Sequence, residues 1–277
     1  MRIGTIVRLG AADPDVLRAS FERLVGAGIY SCQLTAWRME AITRENARMV
    51  RELAREYGVE ISAFWCGWRG DKAWNFSRGP QTLGLVPKET RADRTEDQLN
   101  GLEFTSELGI SDMATHVGFI PFNSESEEYI GLCDAVRKIA TRGRELGIHY
   151  LFETGQETPI TLLRVMQDTG CDNLGVNLDP ANLLMYGMAN PVDAARLFGS
   201  RIRGIHAKDG VYPSADDPMK LGRETPLGEG AVNYPRFISV LKEVGYDGAL
   251  TIEREIKGDE QLRDILSAKS KLEALIR

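Results

Sequence analysis

Glu153, Asp179, His206 and Glu253 each close a separate short apolar run, in HYLFET, LGVNLDP, IRGIHAKD and GALTIERE. If those runs are consecutive parallel strands, the four side chains converge on one mouth. One imidazole and three carboxylates make a donor set for a divalent ion of intermediate hardness, Mn²⁺ first, with Co²⁺, Mg²⁺ or Zn²⁺ as alternatives. Any one of these positions alone would favour a solvated or helix-capping residue. Asp179, directly before Pro180, is also a good helix-start signal. Four compatible ligands on sequential strand ends are a stronger statement, and they point to a metalloenzyme.

The elements that must position them recur along the whole chain as a β-rich run, a turn and a longer amphipathic stretch. Strands are expected over Arg2 to Arg8, Ser31 to Trp37, Glu60 to Gly67, Asp112 to Gly118, His149 to Thr154, Leu174 to Pro180, Ile202 to Asp209 and Gly248 to Glu255. Between them, segments such as PDVLRASFERLVGAG and TRENARMVRELAREYG repeat apolar residues at i, i+3, i+4 and i+7, the pattern of a helix lying on a sheet. Gly28, Gly58, Gly109, Gly147, Gly170 and Gly245 follow helical runs, where a left-handed residue is wanted before the next strand. Eight alternating units without a linker predict a single domain over 1–277, an α/β fold of the (β/α)₈ TIM barrel type. An open doubly wound sheet is the structural alternative. In a closed barrel the active site lies at the C-terminal ends of the strands, where all four candidate ligands fall.

Composition narrows the partners. The chain has 277 residues, 43% of them hydrophobic, and a net charge of −6, which gives neither a nucleic-acid backbone nor an anionic membrane surface a cationic track to follow. Cys32, Cys66, Cys133 and Cys171 are scattered without a C-x-x-C pair and read as reduced thiols. The first residues turn acidic too soon for a secretory core, and no apolar stretch approaches the roughly 20 residues of a bilayer span. A cytoplasmic location is expected.

The motifs FETGQET, GVNLDPANLLMYG, GIHAKDG and PLGEGAVNYPRFISVLKEVGYDGALTIERE resemble those of the xylose-isomerase-like superfamily of TIM barrels, in its sugar (phosphate) isomerase and epimerase branch. The resemblance extends over essentially the whole chain. It implies that Glu153, Asp179, His206 and Glu253 hold one Mn²⁺, Co²⁺ or Mg²⁺, and that Glu153 and Glu253 lie on opposite faces of a small carbohydrate substrate and exchange protons with it. It also implies a homo-oligomer, dimers and tetramers being usual. The chemistry is sound on its own terms. A metal chelated by a carbonyl and a neighbouring hydroxyl stabilises an enediolate, and two carboxylates acting as base and acid contribute about 10²–10⁴-fold each. Alternatively, both glutamates serve as ligands only and a nearby Lys or Glu moves the proton.

Further candidates for substrate contact are His116, Lys208, Glu157, Asn182, Trp68 and Glu229. His116 ends the fourth strand, whereas His149 begins the fifth and belongs on the opposite, stabilising face. Lys208 shares a strand face with His206; it either holds a substrate oxygen or phosphate, or pairs with Asp209 or Glu229. Glu157 is either a substrate contact or an acid favoured by a helix start, and Glu229 in PLGEG could orient a ligand from behind. Several sugar epimerases carry a His where this chain has Asn182, which can hydrogen-bond a hydroxyl but does not titrate near pH 7. The segment FWCGWRGDKAWNFSRGP offers Trp65, Trp68 and Trp74 with Arg69, Lys72 and Arg78, either an apolar wall or lid with cations for an acid or phosphate, or an aromatic plug or dimer contact. Arg8, Gln33 and Trp37 are expected at the same rim.

The function expected is that of a metal-dependent sugar isomerase or epimerase. A dehydratase or keto-glycoside lyase would use the same proton abstraction. A repair enzyme of the endonuclease IV type is disfavoured, because this chain has three histidines and acidic charge. A non-catalytic sugar-binding barrel is disfavoured because clustered charges without an ion cost stability.

Overall fold

A computed structural model, describing residues 1–277, pairs the eight apolar runs in parallel and closes them into a barrel. Its strands are β1 (Arg2–Arg8), β2 (Ser31–Ala36), β3 (Glu60–Cys66), β4 (Asp112–Thr115), β5 (His149–Glu153), β6 (Leu174–Leu178) and β7 (Ile202–Ala207). A small antiparallel hairpin, β8 (Asp209–Val211) with β9 (Arg223–Thr225), precedes the last barrel strand β10 (Ala249–Ile252). Because β1 bonds to β10 on one side and β2 on the other, the barrel has no open edge.

The helices are α1 (Pro14–Gly26), α2 (Arg44–Glu56), the single turn α3 (Gly79–Thr82), α4 (Lys88–Leu108) and α5 (Glu127–Glu145), followed by α6 (Pro159–Thr169), α7 (Pro180–Met185), α8 (Pro191–Phe198), α9 (Tyr234–Glu243) and α10 (Asp259–Ile276). Four of them start alike. Asp13, Thr158, Asp179 and Asn190 each precede a proline and accept a backbone N–H of the first turn, while the proline sits where its missing donor has no helical partner to lose. At the other ends, Gly28, Gly58, Gly109, Gly147, Gly170 and Gly245 all adopt φ between +64° and +78°, which side chains with a Cβ rarely tolerate. Strands β2 and β6 are buried at every residue, which explains why they read as apolar runs rather than as alternating ones. No helix is long and apolar enough to cross a membrane.

Seven of the eight strands end one to three residues earlier than the sequence suggests. β2 stops at Ala36 rather than Trp37, β4 at Thr115 rather than Gly118, and β10 spans only Ala249–Ile252. Beyond these points the ladder gives way to loops, and single bonds such as Gly67 N to Ala36 O and Glu253 N to Ala207 O carry the chain out of the barrel. His116, Asp179, Lys208 and Glu253 all lie in this transition, one residue past their strands. The hairpin β8–β9 was not expected, since three-residue strands leave no periodic signal.

Two register shifts sit deep in the barrel. Cys32 pairs with Ile61 but Gln33 with Ala63, which leaves Ser62 as an extra residue in β3; Val176 pairs with Ile202 but Asn177 with Gly204, which leaves Arg203 extra in β7. Gly204 is needed opposite Asn177, because a Cβ there would lie 2.2 Å from the Asn177 Oδ1.

Candidate metal centre and barrel mouth

The two shifted positions, Gln33 and Asn177, build the floor of the site. Gln33 donates its amide N–H to Asn177 Oδ1 at 3.1 Å, so its oxygen is left to accept from His206 Nε2 at 2.6 Å. That bond assigns the proton of a neutral imidazole to Nε2 and turns Nδ1 toward the carboxylates. His206 Nδ1 lies 2.9 Å from Glu153 Oε1, 3.1 Å from Glu253 Oε2 and 3.7 Å from Asp179 Oδ2. One ligand atom from each of the four residues lies within 4.8 Å of all the others.

Each carboxylate is held differently. Glu153 receives Trp65 Nε1–H on one oxygen and Asn182 Nδ2–H at 3.3 Å on the other, with His116 Nε2 3.4 Å away. Asp179 caps α7 through Oδ1, which accepts from Asn182 N at 2.8 Å, whereas its Oδ2 is buried without any hydrogen-bond donor. Glu253 keeps a 20% exposed side chain and lies 3.4 Å from Lys208 Nζ. Lys208 is itself buried and reaches Glu255 at 2.8 Å, Asn182 Oδ1 at 3.4 Å and Asp179 at 3.7 Å.

The electrostatics follow from packing the three acids Glu153, Asp179 and Glu253 around the two cations His206 and Lys208 in a largely dry place. Burial opposes charge at every one of these groups. At Glu153 the attraction of His116 and His206 outweighs it and draws the carboxyl below its ordinary range. At Glu253, Lys208 and His206 do the same and hold it far below. Asp179 ends above its ordinary value because burial outweighs the pull of Lys208. Burial would discharge His206 and Lys208, yet the surrounding carboxylates raise both well above their usual values. An imidazole nitrogen facing three carboxylates, one of which has an unpartnered buried oxygen, is a donor set that a divalent ion satisfies. The residues fit a metal.

Above this floor lies a cavity of about 450 Å³. His116, Asn182, Glu153, His206 and Glu253 line it, as do Arg8 and Trp37; Gln33 is set below, inside the barrel, rather than at the rim. Trp68 does not reach the cavity. It is packed behind the mouth against Trp37, Trp65 and the Arg94 guanidinium, and the tryptophans that line the opening are Trp37, Trp65 and Trp74. The cations of the aromatic segment are occupied, Arg69 by Asp97, Arg78 by Asp71, and Lys72 by the Gly70 carbonyl and the Trp37 ring.

Glu229 is exposed in the turn after β9 and does not line the cavity, because the loop there folds inward around Asp209 instead. Asp209 accepts the backbone N–H groups of Gly210, Gly228, Gly230 and Val232, so it organises this loop and leaves Lys208 to Glu253 and Glu255. The sequence reading missed Glu255 and Glu224. The first could have been found two residues after Glu253, on the same side of the chain; the second accepts from Glu255 N and pairs with Arg254, and no spacing signals it.

Glu157 caps nothing with its side chain. Thr158 caps α6, and Glu157 is buried with one oxygen 3.3 Å from Gly155 N and the other unpartnered. Burial pushes its carboxyl up from 4.5 to about 8. The folded protein therefore holds this proton where the unfolded chain has released it, so stability declines as pH rises from about 4.5 to about 8. Glu157→Gln should leave the chelator-treated protein nearly unchanged at pH 5 and stabilise it on the order of 4 kcal/mol at pH 8.5. Thermal melts across that range test this, and equal shifts at both pH values would contradict it.

A family model, the xylose isomerase-like TIM barrel, matches residues 21–274. The chain belongs to that family. Within it, the solved xylose isomerase domain protein from Planctomyces limnophilus is 30% identical, with 99% of this chain and 96% of that one covered at a TM-score of 0.89. A solved D-tagatose 3-epimerase-like protein is 22% identical, with 100% and 97% covered at a TM-score of 0.75, a likeness of fold. The inosose dehydratase of Lacticaseibacillus casei is 27% identical over 143 residues, which span 47% of this chain and 48% of that protein. The xylose isomerase-like chain thus has epimerase-like and dehydratase relatives at low identity.

Proposed function

We propose that this chain is a divalent-metal-dependent isomerase or epimerase that moves a proton on the carbon next to a carbonyl in a small sugar, keto-sugar or sugar-derived hydroxy acid, with Mn²⁺ as its ion. The observation that carries this reading is the convergence of Glu153, Asp179, His206 and Glu253, three of them buried and Glu253 partly exposed, with His206 Nδ1 turned toward three carboxylates by the Gln33 bond behind it. A divalent ion held by these four would withdraw electrons from a substrate carbonyl and acidify the adjoining C–H.

The protein's own groups do the rest. Glu153 and Glu253 are both kept ionised by their cationic neighbours, the form in which a carboxylate accepts a proton from carbon. Trp65 and Asn182 fix the Glu153 carboxylate from two sides, and Lys208 fixes Glu253 at the part-exposed cavity wall. One carboxylate takes the proton from carbon while the other, protonated first from solvent, returns one to it, and the first then releases its proton to solvent. His116 and Asn182 line the cavity where substrate hydroxyls would lie. Elimination after the same proton removal, as in a dehydratase or keto-glycoside lyase, is the second reading, supported by the similarity to the inosose dehydratase.

The test is metal analysis of the purified protein together with solvent-deuterium exchange across a panel of keto-sugars. One ion per chain and metal-dependent exchange next to the carbonyl are expected, and a dehydrated product or released aglycone would mark the second reading. Neither bound metal nor exchange would sink the proposal. Chelation should also lower the melting temperature, since an ion that binds only the folded state stabilises it.

A further inference from the structure

The cavity holds two buried polar groups that the proton chemistry does not use. Gln156, 3% exposed in the loop after β5, has neither its amide N–H₂ nor its amide oxygen hydrogen-bonded, and Tyr186, 5% exposed at the end of α7, has an unpartnered hydroxyl. Both line the same cavity as Glu153 and Glu253. Leaving a buried amide and a buried phenol without partners is costly unless something arrives to satisfy them. Tyr186 is not free to turn away, because its ring meets the edges or faces of Phe76 and Phe119 at 5.7 and 6.0 Å. Burial pushes its hydroxyl up to about 12 against the opposing pull of the neighbouring Gln156 amide, with which it forms no well-aligned hydrogen bond, so the phenol stays protonated and offers a donor as well as an acceptor.

Half-exposed Trp37 and Trp74 line the same cavity, and all four tryptophans of the chain form one aromatic cluster there. An aromatic face carries negative potential and attracts C–H bonds polarised by neighbouring oxygens. A closed polyol ring presents several such C–H bonds on one face and hydroxyls around its edge; an open chain holds no fixed face. The charged lining also discriminates. Arg8 is the one Arg or Lys among the lining residues, against the carboxylates of Glu153, Glu253 and Glu255. A phosphoryl dianion would meet repulsion there.

Resting on the sugar-enolising reading above, we infer that Gln156 and Tyr186 form a hydroxyl-reading subsite, in the same cavity as the Trp37 and Trp74 faces, that selects uncharged ring polyols, whose ring ketones keep a carbonyl to enolise, over open-chain or phosphorylated ones. The amide supplies a donor and an acceptor to adjacent ring hydroxyls, and the phenol supplies a third contact. A site with committed polar groups rejects a ligand that leaves them unpaired more strongly than an apolar site rejects an extra group.

Binding can be read without turnover, because a ligand in this cavity lies beside the chain's tryptophans. The experiment titrates the Mn²⁺-supplemented full-length protein with myo-inositol, sorbitol and myo-inositol monophosphate, following tryptophan emission and calorimetric heat, for wild type, Gln156→Leu and Tyr186→Phe. Wild type should bind the ring hexol at least about tenfold more tightly than the open-chain hexol or the phosphate ester, and each variant should lose about tenfold for the ring alone. Metal content should be the same in all three proteins. Equal or tighter binding of sorbitol or of the monophosphate, variants that bind like wild type, or no response to myo-inositol at millimolar concentration would each overturn the subsite. The wild-type ring-to-chain ratio decides the matter even if a variant folds poorly. Failure of the enolisation reading shows separately, as absent metal or absent deuterium exchange.

Discussion

Glu253→Gln is expected to lower metal-dependent deuterium exchange into substrate by about 10²–10⁴-fold, and Glu153→Gln by a similar factor. Both changes keep the side-chain volume and remove a base. Both also remove a charged ligand, so the measurement is made with Mn²⁺ raised until activity no longer responds, which separates weaker metal binding from lost proton transfer. The two variants should then differ in kind. Glu153 is clamped by Trp65, Asn182 and two imidazoles, and an amide there must turn one end toward the Trp65 and Asn182 donors. Glu253 is partly exposed at the cavity wall and has only Lys208 and His206 to satisfy. Glu153→Gln should therefore cost stability through unsatisfied hydrogen-bond donors, and Glu253→Gln in the chelated protein through loss of the charge that Lys208 and His206 hold far below its ordinary range. Full exchange activity in either variant at saturating metal would show that the glutamate is a ligand alone.

Lys208→Met is the other change with a large expected effect. In the chelated protein, Lys208 and protonated His206 are the two cations facing Asp179, Glu153 and Glu253, so removing one leaves buried carboxylates uncompensated. Breaking a buried ion pair on one side costs about 3–5 kcal/mol. With an ion bound, its two positive charges face the same oxygens, and the loss should be much smaller. The variant should consequently show a far greater fall in melting temperature on chelation than wild type does. An equal loss with and without metal would mean that Lys208 stabilises the fold through Glu255 and Asn182 rather than by balancing the ligand charges.

What the sequence made legible follows from where physical signals repeat. The barrel was readable because β-rich runs and 3.6-residue periodicity alternate eight times, and because left-handed glycines punctuate the helix ends. The convergence of Glu153, Asp179, His206 and Glu253 was readable because a parallel barrel puts every strand's last residue at the same mouth. Depth was not readable. Gln33 and Asn177 sit within apolar runs, and a one-dimensional pattern cannot say whether a polar residue in such a run lies at the rim or on the barrel axis. Trp68 and Trp74 share composition and neighbourhood, yet packing against Arg94 buries one while the other opens onto the cavity. Glu224 in β9 and Glu229 in the turn after it are five residues apart, and only the inward fold around Asp209 decides which acid stays outside. The β8–β9 hairpin that shapes this loop is too short to leave a signal.

The extra residues Ser62 and Arg203 have a consequence for how this barrel can change. Side chains alternate along a strand, so a single-residue shift exchanges the two faces of everything beyond it. Deleting Arg203 would erase the irregularity in β7 and carry His206 and Lys208 from the interior to the helix-covered side, with no ligand residue altered. Deleting Ser62 would do the same to the end of β3, turning Trp65 away from Glu153. Length changes in the outer loops, by contrast, leave the interior alternation untouched. The architecture therefore admits wide variation in its loops while staying intolerant of a missing residue at two places that themselves contribute no ligand.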